Sequence, residues 1–272
     1  MSLKLWLHEW QKQIEKADIP TARLDTLILL EDVTGKSRAQ LLAHQELELT
    51  PAQVDTLQKL VDQRARHVPL AYVRGKTEFY GREFFISPAV LEPRPESETM
   101  IDLLKQLVAR QPSQKLSLVD VGTGSGALGI TAALELPDTE VAMVDIDAAA
   151  LKVAEQNCER FELTLSCVVD DLLSHAQRRG VVIDVVLANL PYVPDDYQIN
   201  TAALHEPRLA IFGGPDGLNL YRRLFEQLET LHAAVVLTES LPLQHTELTA
   251  IAIQHNYQQV QEEDFIQVFE KK

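Results

Sequence analysis

Apolar positions in the N-terminal part of the chain recur at helical spacing. Leu3, Trp6, Leu7, Trp10 and Ile14 fall on one face of a helix. A second set, Leu24, Leu27 and Ile28, follows Pro20-Thr21, where Thr21 is placed to cap the new helix. Thr50-Pro51 has the form of a cap followed by a proline at the first helical position, and Val54, Leu57 and Val61 line one side of the helix it opens. Pro69 closes this region, in which the two tryptophans read as core. The pattern then changes. KTEFYGREFFIS, residues 76–87, holds two short aromatic runs about Gly81 and predicts a β-hairpin. A proline-punctuated stretch, Ser87-Pro88 to Pro93-Arg94-Pro95, leads to a helix near 96–110.

From residue 116 onward strands and helices alternate. LSLVDVG, EVAMVDI, LTLSCVVD, VVIDVVLAN and AAVVLTES read as strands, and ALGITAALEL, AAALKVAEQNCERF and GLNLYRRLFEQLETL as helices. Strands that are almost wholly apolar are buried on both faces, so the class is α/β with a parallel sheet covered on each side. Short runs around Tyr257–Val260 and Phe265–Phe269 predict a closing hairpin. The expected organisation is a helical domain over 1–75, a hairpin linker over 76–90 and an α/β domain over 91–272.

Composition narrows the classes. A hydrophobic fraction of 46% in 272 residues supplies a core and excludes general disorder. No apolar run approaches the roughly 20 residues of a membrane span, and the charged, amphipathic start lacks the form of a signal peptide. Cys158 and Cys167 are the only cysteines, so no disulfide framework or cysteine metal cluster is available. A soluble cytoplasmic protein without a metal is expected. Residues 1–75 carry ten basic and ten acidic side chains, so the remainder holds the entire net charge of −15. Such a body lacks the electrostatic footprint of a duplex DNA binder.

Candidate chemistry gathers at two strand ends. Asp120-Val-Gly122-Thr123-Gly124-Ser125-Gly126 joins the first α/β strand to its helix, where glycines permit a sharp turn and close approach to a ligand. Asp145, 21 residues past Gly124, ends the next strand and is placed to accept both hydroxyls of a ribose. Gly124, Gly126 and Gly129 also satisfy the dinucleotide fingerprint. Asp120 tips the choice to S-adenosylmethionine, because it suits a cationic amino-acid group and would repel a pyrophosphate. VVIDVVLAN runs into Asn189-Leu190-Pro191-Tyr192, at the same edge of the sheet. The Asn189 carboxamide oxygen and the Leu190 carbonyl can each accept one N–H of a planar –NH₂ group and aim its lone pair. Pro191 fixes the turn and Tyr192 offers an aromatic face.

These segments resemble the HemK/PrmC family, which methylates the side-chain amide nitrogen of a glutamine in peptide chain release factors. The resemblance rests on PLAYVRGKTEFYGREFFISPAVLEPRPESE, VDVGTGSGALGI, LANLPYVP and HEPRLAIFGGPDGLNLYRRL. It implies a seven-stranded, Rossmann-like class I methyltransferase domain behind a small helical domain. Residues 1–75 hold none of the candidate site residues, are neutral and form their own apolar faces, so they are expected to be a substrate-recognition domain. The resemblance further implies that Gly122, Thr123, Gly124, Ser125, Gly126, Asp145 and Asn189 bind S-adenosylmethionine, with Asp171 and Leu172 beside its adenine. Asn189, Leu190, Pro191 and Tyr192 would bind the glutamine. The implied partner is a release factor; a monomer with no stable nucleic-acid or membrane binding is expected. Two positions depart from the pattern: Leu190 stands where the family has proline, and Leu172 is aliphatic where an aromatic ring would stack on adenine. The residues alone leave open an adenine N6 DNA methyltransferase, a dinucleotide oxidoreductase and a non-catalytic binding protein of the same fold. Arg94 and Glu98 read equally as site residues or as partners of an ion pair or helix start. Glu239 reads equally as a site residue or a solvated strand end. The eight histidines, His205 of the His205-Glu206 pair among them, are scattered and read as surface or capping residues.

Overall fold

The computed structural model describes residues 2–110, 116–231 and 233–272; His232, one of the histidines weighed above, lies outside the described residues. The chain forms two compact units, residues 1–76 with 199–205, and residues 77–198 with 206–272.

The first unit is helical: α1 (Leu3–Glu15), α2 (Ala22–Thr34), α3 (Arg38–Ala43), α4 (Pro51–Arg64) and α5 (Leu70–Arg74). The apolar stripe of α1 is buried as its spacing predicts, with Trp6 stacked on Trp10 at 4.9 Å between ring centroids. Thr50 caps α4 in a reciprocal capping box with Gln53. Three details differ from the sequence reading. Along α2 Leu24 is exposed, whereas Ala22, Asp25, Thr26, Leu29 and Leu30 are buried, because the helix packs against both α1 and α4 and so has no single buried stripe. Thr21 does not cap α2: its hydroxyl donates to Asp25 Oδ2 at 2.9 Å, and Arg64 Nε donates to the same oxygen at 2.7 Å. Pro69 starts α5 and does not end the helical region.

The hairpin β1 (Lys76–Phe79) and β2 (Arg82–Phe85) starts on the last residue of the 1–76 stretch and leads into the second unit. Its turn, Tyr80-Gly81, has φ of 52° and 69°, the doubly left-handed geometry that matches the twist of paired strands. A 3₁₀ turn at Pro95–Ser97 leads into α6 (Glu98–Ala109). The alternating region follows as β3 (Ser117–Val121), α7 (Ala127–Glu135), β4 (Glu140–Asp145), α8 (Ala148–Arg160), β5 (Ser166–Val169), α9 (Ser174–Arg179), β6 (Ile183–Ala188), α10 (Asn219–Leu228), β7 (Ala233–Glu239), α11 (His245–Gln254), β8 (Tyr257–Glu263) and β9 (Ile266–Lys271).

Seven strands form one sheet in the order β5-β4-β3-β6-β7-β9-β8, parallel except for β9, which runs against both β7 and β8. Each face carries its own core. Val186 and Ala188 of β6 pack with Tyr221, Phe225 and Leu228 of α10, while Val185 and Leu187 pack on the other side with Met100, Ile101 and Leu104 of α6. That two-sided burial explains the unbroken apolar run of the strand. Because β3 lies between β4 and β6, chain direction reverses there, and a crevice opens at the carboxyl ends of these strands. Among the described residues no helix is long and apolar enough to cross a membrane, and no cluster of His, Cys, Asp and Glu suits a metal.

Candidate active site

The glycine loop after β3 is bent by three left-handed residues, Gly122, Gly124 and Gly126, with φ of 72°, 55° and 82°. It is tied to the neighbouring strand, since the Gly122 and Thr123 N–H groups both donate to the Val144 carbonyl. Beneath it lies Asp120, fully buried, whose Oδ2 accepts from Thr123 Oγ1 at 2.5 Å and from the Gly129 N–H at 2.9 Å. Asp120 therefore supports the loop from below. Burial pushes its carboxyl up to about 6, against the pull of those two hydrogen bonds. Asp145 does face the cleft. Its Oδ2 accepts from the Gly124 N–H and its Oδ1 from the Asp147 N–H, both at 2.9 Å, and partial burial holds its pKa above the usual carboxylate range.

The cleft has a volume of about 250 Å³. Gly122 to Ser125, Asp145, Asp171, Leu172, Asn189, Leu190 and Pro191 line it, so one concavity gathers both predicted groups. Gly126 is not among the lining residues: it packs inward, where a Cβ would stand 2.9 Å from Ile130 Cδ1, and it starts α7. Asp171 pairs with Arg223, another lining residue, at 2.5 Å, and Leu172 takes φ of 56°. Tyr192 also stands behind the lining, with its hydroxyl donating to Glu239 Oε1 at 3.1 Å.

Glu239, at the end of β7, is not a solvated strand end. It is 1% exposed and organises a polar group that sequence reading did not assemble. Ser97 Oγ donates to Glu239 Oε2 at 2.5 Å, and Asn189 Nδ2 donates to Ser97 Oγ at 3.0 Å. Burial raises the Glu239 carboxyl, opposed by the hydrogen bonds it accepts from Ser97 and Tyr192. With Nδ2 committed inward, Asn189 Oδ1 is left for the cleft. Among the described residues no group donates to Oδ1 or to the Leu190 carbonyl. The available signal was a carboxylate ending a mostly apolar strand, in the same position on β7 as Asp145 on β4.

The loop over 213–217 holds the tetrapeptide from behind. A Cβ on Gly213 would lie 2.2 Å from the Pro191 carbonyl oxygen, and one on Gly217 2.0 Å from that of Tyr192, so only glycine permits this approach. Tyr221 fixes the strand ends: its hydroxyl accepts from the Leu190 N–H at 3.2 Å and donates to the Glu239 carbonyl. Arg94 pairs with Glu206 at 2.6 Å, and Glu98 accepts from the Tyr80 N–H at 2.7 Å, so both hold loops together. Cys158 is buried, its thiol pushed up to about 12 by that burial.

Residues 6–75 match the family described as PrmC N-terminal domain, and residues 97–206 that described as methyltransferase small domain. The release factor glutamine methyltransferase of Koribacter versatilis is 37% identical over 231 residues, covering 84% of this chain and 81% of that protein. The chain belongs to the release factor glutamine methyltransferase family. The release factor glutamine methyltransferase of Moorella thermoacetica is 36% identical over 234 residues, covering 82% and 79% of the two chains. A 16S rRNA methyltransferase of T. thermophilus, solved with AdoMet and guanosine, is similar in fold, with a TM-score of 0.52, 17% identity and coverage of 72% of this chain and 50% of that one. For a release factor glutamine methyltransferase, the distinctive local feature here is Leu190. It supplies an N–H that proline lacks, and its Cδ2 lies 3.0 Å from where a Cβ on Gly122 would be.

Proposed function

We infer that this chain transfers a methyl group from S-adenosylmethionine to the side-chain amide nitrogen of a glutamine in peptide chain release factors. The observation that carries the reading is the pair of uncommitted acceptors, Asn189 Oδ1 and the Leu190 carbonyl, in the cleft that also holds the glycine loop and Asp145. The residues fit such a donor. Gly124 has nothing within 4 Å of where its Cβ would be, leaving room at the loop, and Asp145 offers a partly buried carboxylate for two hydroxyls. We assign the amino-acid end to Gly122, Thr123, Gly124 and Ser125, the ribose to Asp145, and the adenine to Asp171 and Leu172.

When bound, S-adenosylmethionine supplies an electrophilic methyl on a sulfonium. Asn189 and Leu190 hold the two N–H bonds of the glutamine amide, turning its nitrogen lone pair to the methyl carbon. The N–C bond forms as the C–S bond breaks, and the spare proton leaves the nitrogen afterwards for solvent. No strong base is required, because the nitrogen that takes the methyl becomes cationic and then sheds its spare proton readily; positioning supplies most of the rate. Pro191 fixes the turn that presents the Leu190 carbonyl, and Tyr192 braces it through Glu239. The helical unit is the substrate-recognition domain in this reading. The protein acts as a cytoplasmic monomer without stable nucleic-acid or membrane binding, and its net charge of −15 supports the nucleic-acid part.

The test is incubation of the protein, labelled methyl donor and a release factor, followed by mass spectrometry of the peptides. One methyl on one glutamine is expected, and label on DNA or nowhere would refute the assignment. Asn189→Ala should nearly abolish transfer while leaving affinity for the donor within a few-fold, measured by calorimetry. Retention of most of kcat would remove Asn189 from the reaction.

A further inference from the structure

A carboxamide is nearly symmetric in shape, so Asn189 can present either its oxygen or its –NH₂ to the cleft. Only its hydrogen-bond partners decide which. Methyl transfer to an amide nitrogen, on the reading above, needs the oxygen. Ser97, the immediate partner, is ambivalent, since a hydroxyl both donates and accepts. Glu239 removes that ambivalence. Both oxygens of its carboxylate act as acceptors, and one takes the Ser97 hydroxyl at 2.5 Å. Ser97 Oγ is left with lone pairs, and it receives Asn189 Nδ2 at 3.0 Å. Ser97 and Glu239 are 2% and 1% exposed, so water is not at hand to reorder the chain of bonds. Tyr192 occupies the other carboxylate oxygen at 3.1 Å.

We infer that Glu239 is a positioning residue, which through Ser97 sets the Asn189 carboxamide with its oxygen toward the acceptor nitrogen. This rests on the assignment of Asn189 to the acceptor. Glu239 touches no substrate; it acts by polarity alone. Take it away and the Ser97 hydroxyl, having lost its acceptor, donates to the Asn189 oxygen instead. The carboxamide then turns over, and its –NH₂ faces the glutamine –NH₂, donor against donor.

The consequence is an unusual order among variants. Glu239→Met keeps side-chain length but removes the acceptor, and should lower kcat about a hundredfold. Ser97→Ala leaves the carboxamide unguided, not misguided, and should lower kcat about tenfold. The double variant should recover to the level of Ser97→Ala, because the hydroxyl that held the wrong orientation is gone. A merely structural role predicts the reverse, with the double variant poorest. Donor affinity should stay within about threefold throughout. A second measurement does not depend on the substrate. The Asn189 side-chain amide protons, followed by NMR, should exchange slowly with solvent in the unaltered protein and fast in Ser97→Ala and Glu239→Met. A double variant poorer than Glu239→Met, full kcat in Ser97→Ala, or unchanged exchange in both single variants would each overturn the inference. Absence of transfer to any release factor by the unaltered protein would instead overturn the assigned activity, and the exchange rates alone would then decide the orientation.

Discussion

Asp145 carries two backbone hydrogen bonds and still faces the cleft, so its side chain can be removed without opening the core. Asp145→Ala should cost the charged hydrogen bonds to a ribose, worth about 1.5–3 kcal/mol, or about ten- to 150-fold in donor affinity by calorimetry. Leu190→Pro tests the family's residue in this setting. It keeps the carbonyl but deletes the N–H that donates to Tyr221, a loss of about 1 kcal/mol. The expected outcome is a Tm lower by roughly 2–4 °C with kcat within a few-fold, read by calorimetry and a turnover assay. The glycine loop, Asp145 and Asn189 are legible in the sequence because each sits where a local pattern breaks, at the end of an apolar run. Ser97 and Glu239 are 142 positions apart, and no local pattern joins them.

At the scale of elements, β3, its loop and α7 are clasped by one buried carboxylate, Asp120. Its pKa lies near 6 in the fold and at the ordinary carboxylate value of 3.8 when unfolded. The native state therefore binds the extra proton between these values. The stability this confers is fully present below about 3.8 and is lost as pH rises through about 6, a change of roughly 3 kcal/mol. Asp120→Asn lacks this titration. Its Tm relative to the unaltered protein should rise between pH 4 and pH 6.5 by differential scanning calorimetry, then stay level. Asp145, Glu206 and Glu239 are shifted in the same direction, so the comparison with Asp120→Asn is what isolates one group. Strand and helix alternation predicts the sheet, because burial on both faces leaves an unmistakable apolar run. The inward turn of Asp120 escapes prediction because its partners include a backbone N–H that carries no sequence mark. Along α2, burial on two sides erases the periodicity that would have revealed its register.

The whole molecule divides its charge as it divides its structure: residues 1–75 are neutral and the rest holds −15. If the helical unit grips the protein substrate, a truncated chain beginning at Lys76 should still bind the methyl donor. Its kcat/KM should fall steeply for a folded release factor and much less for a short glutamine peptide. Both substrates must be compared, since a folding defect would depress them alike; equal losses would deny the helical unit this role. The truncation also strips residues 199–205 of the unit to which they belong. That segment makes the architecture discontinuous: the backbone passes between the units at 76/77, 198/199 and 205/206. A protease that cuts only near residue 76 would thus separate residues 1–76 along the backbone from 199–205, the two parts of one unit. During synthesis, too, the first unit is not complete until the ribosome has made most of the second.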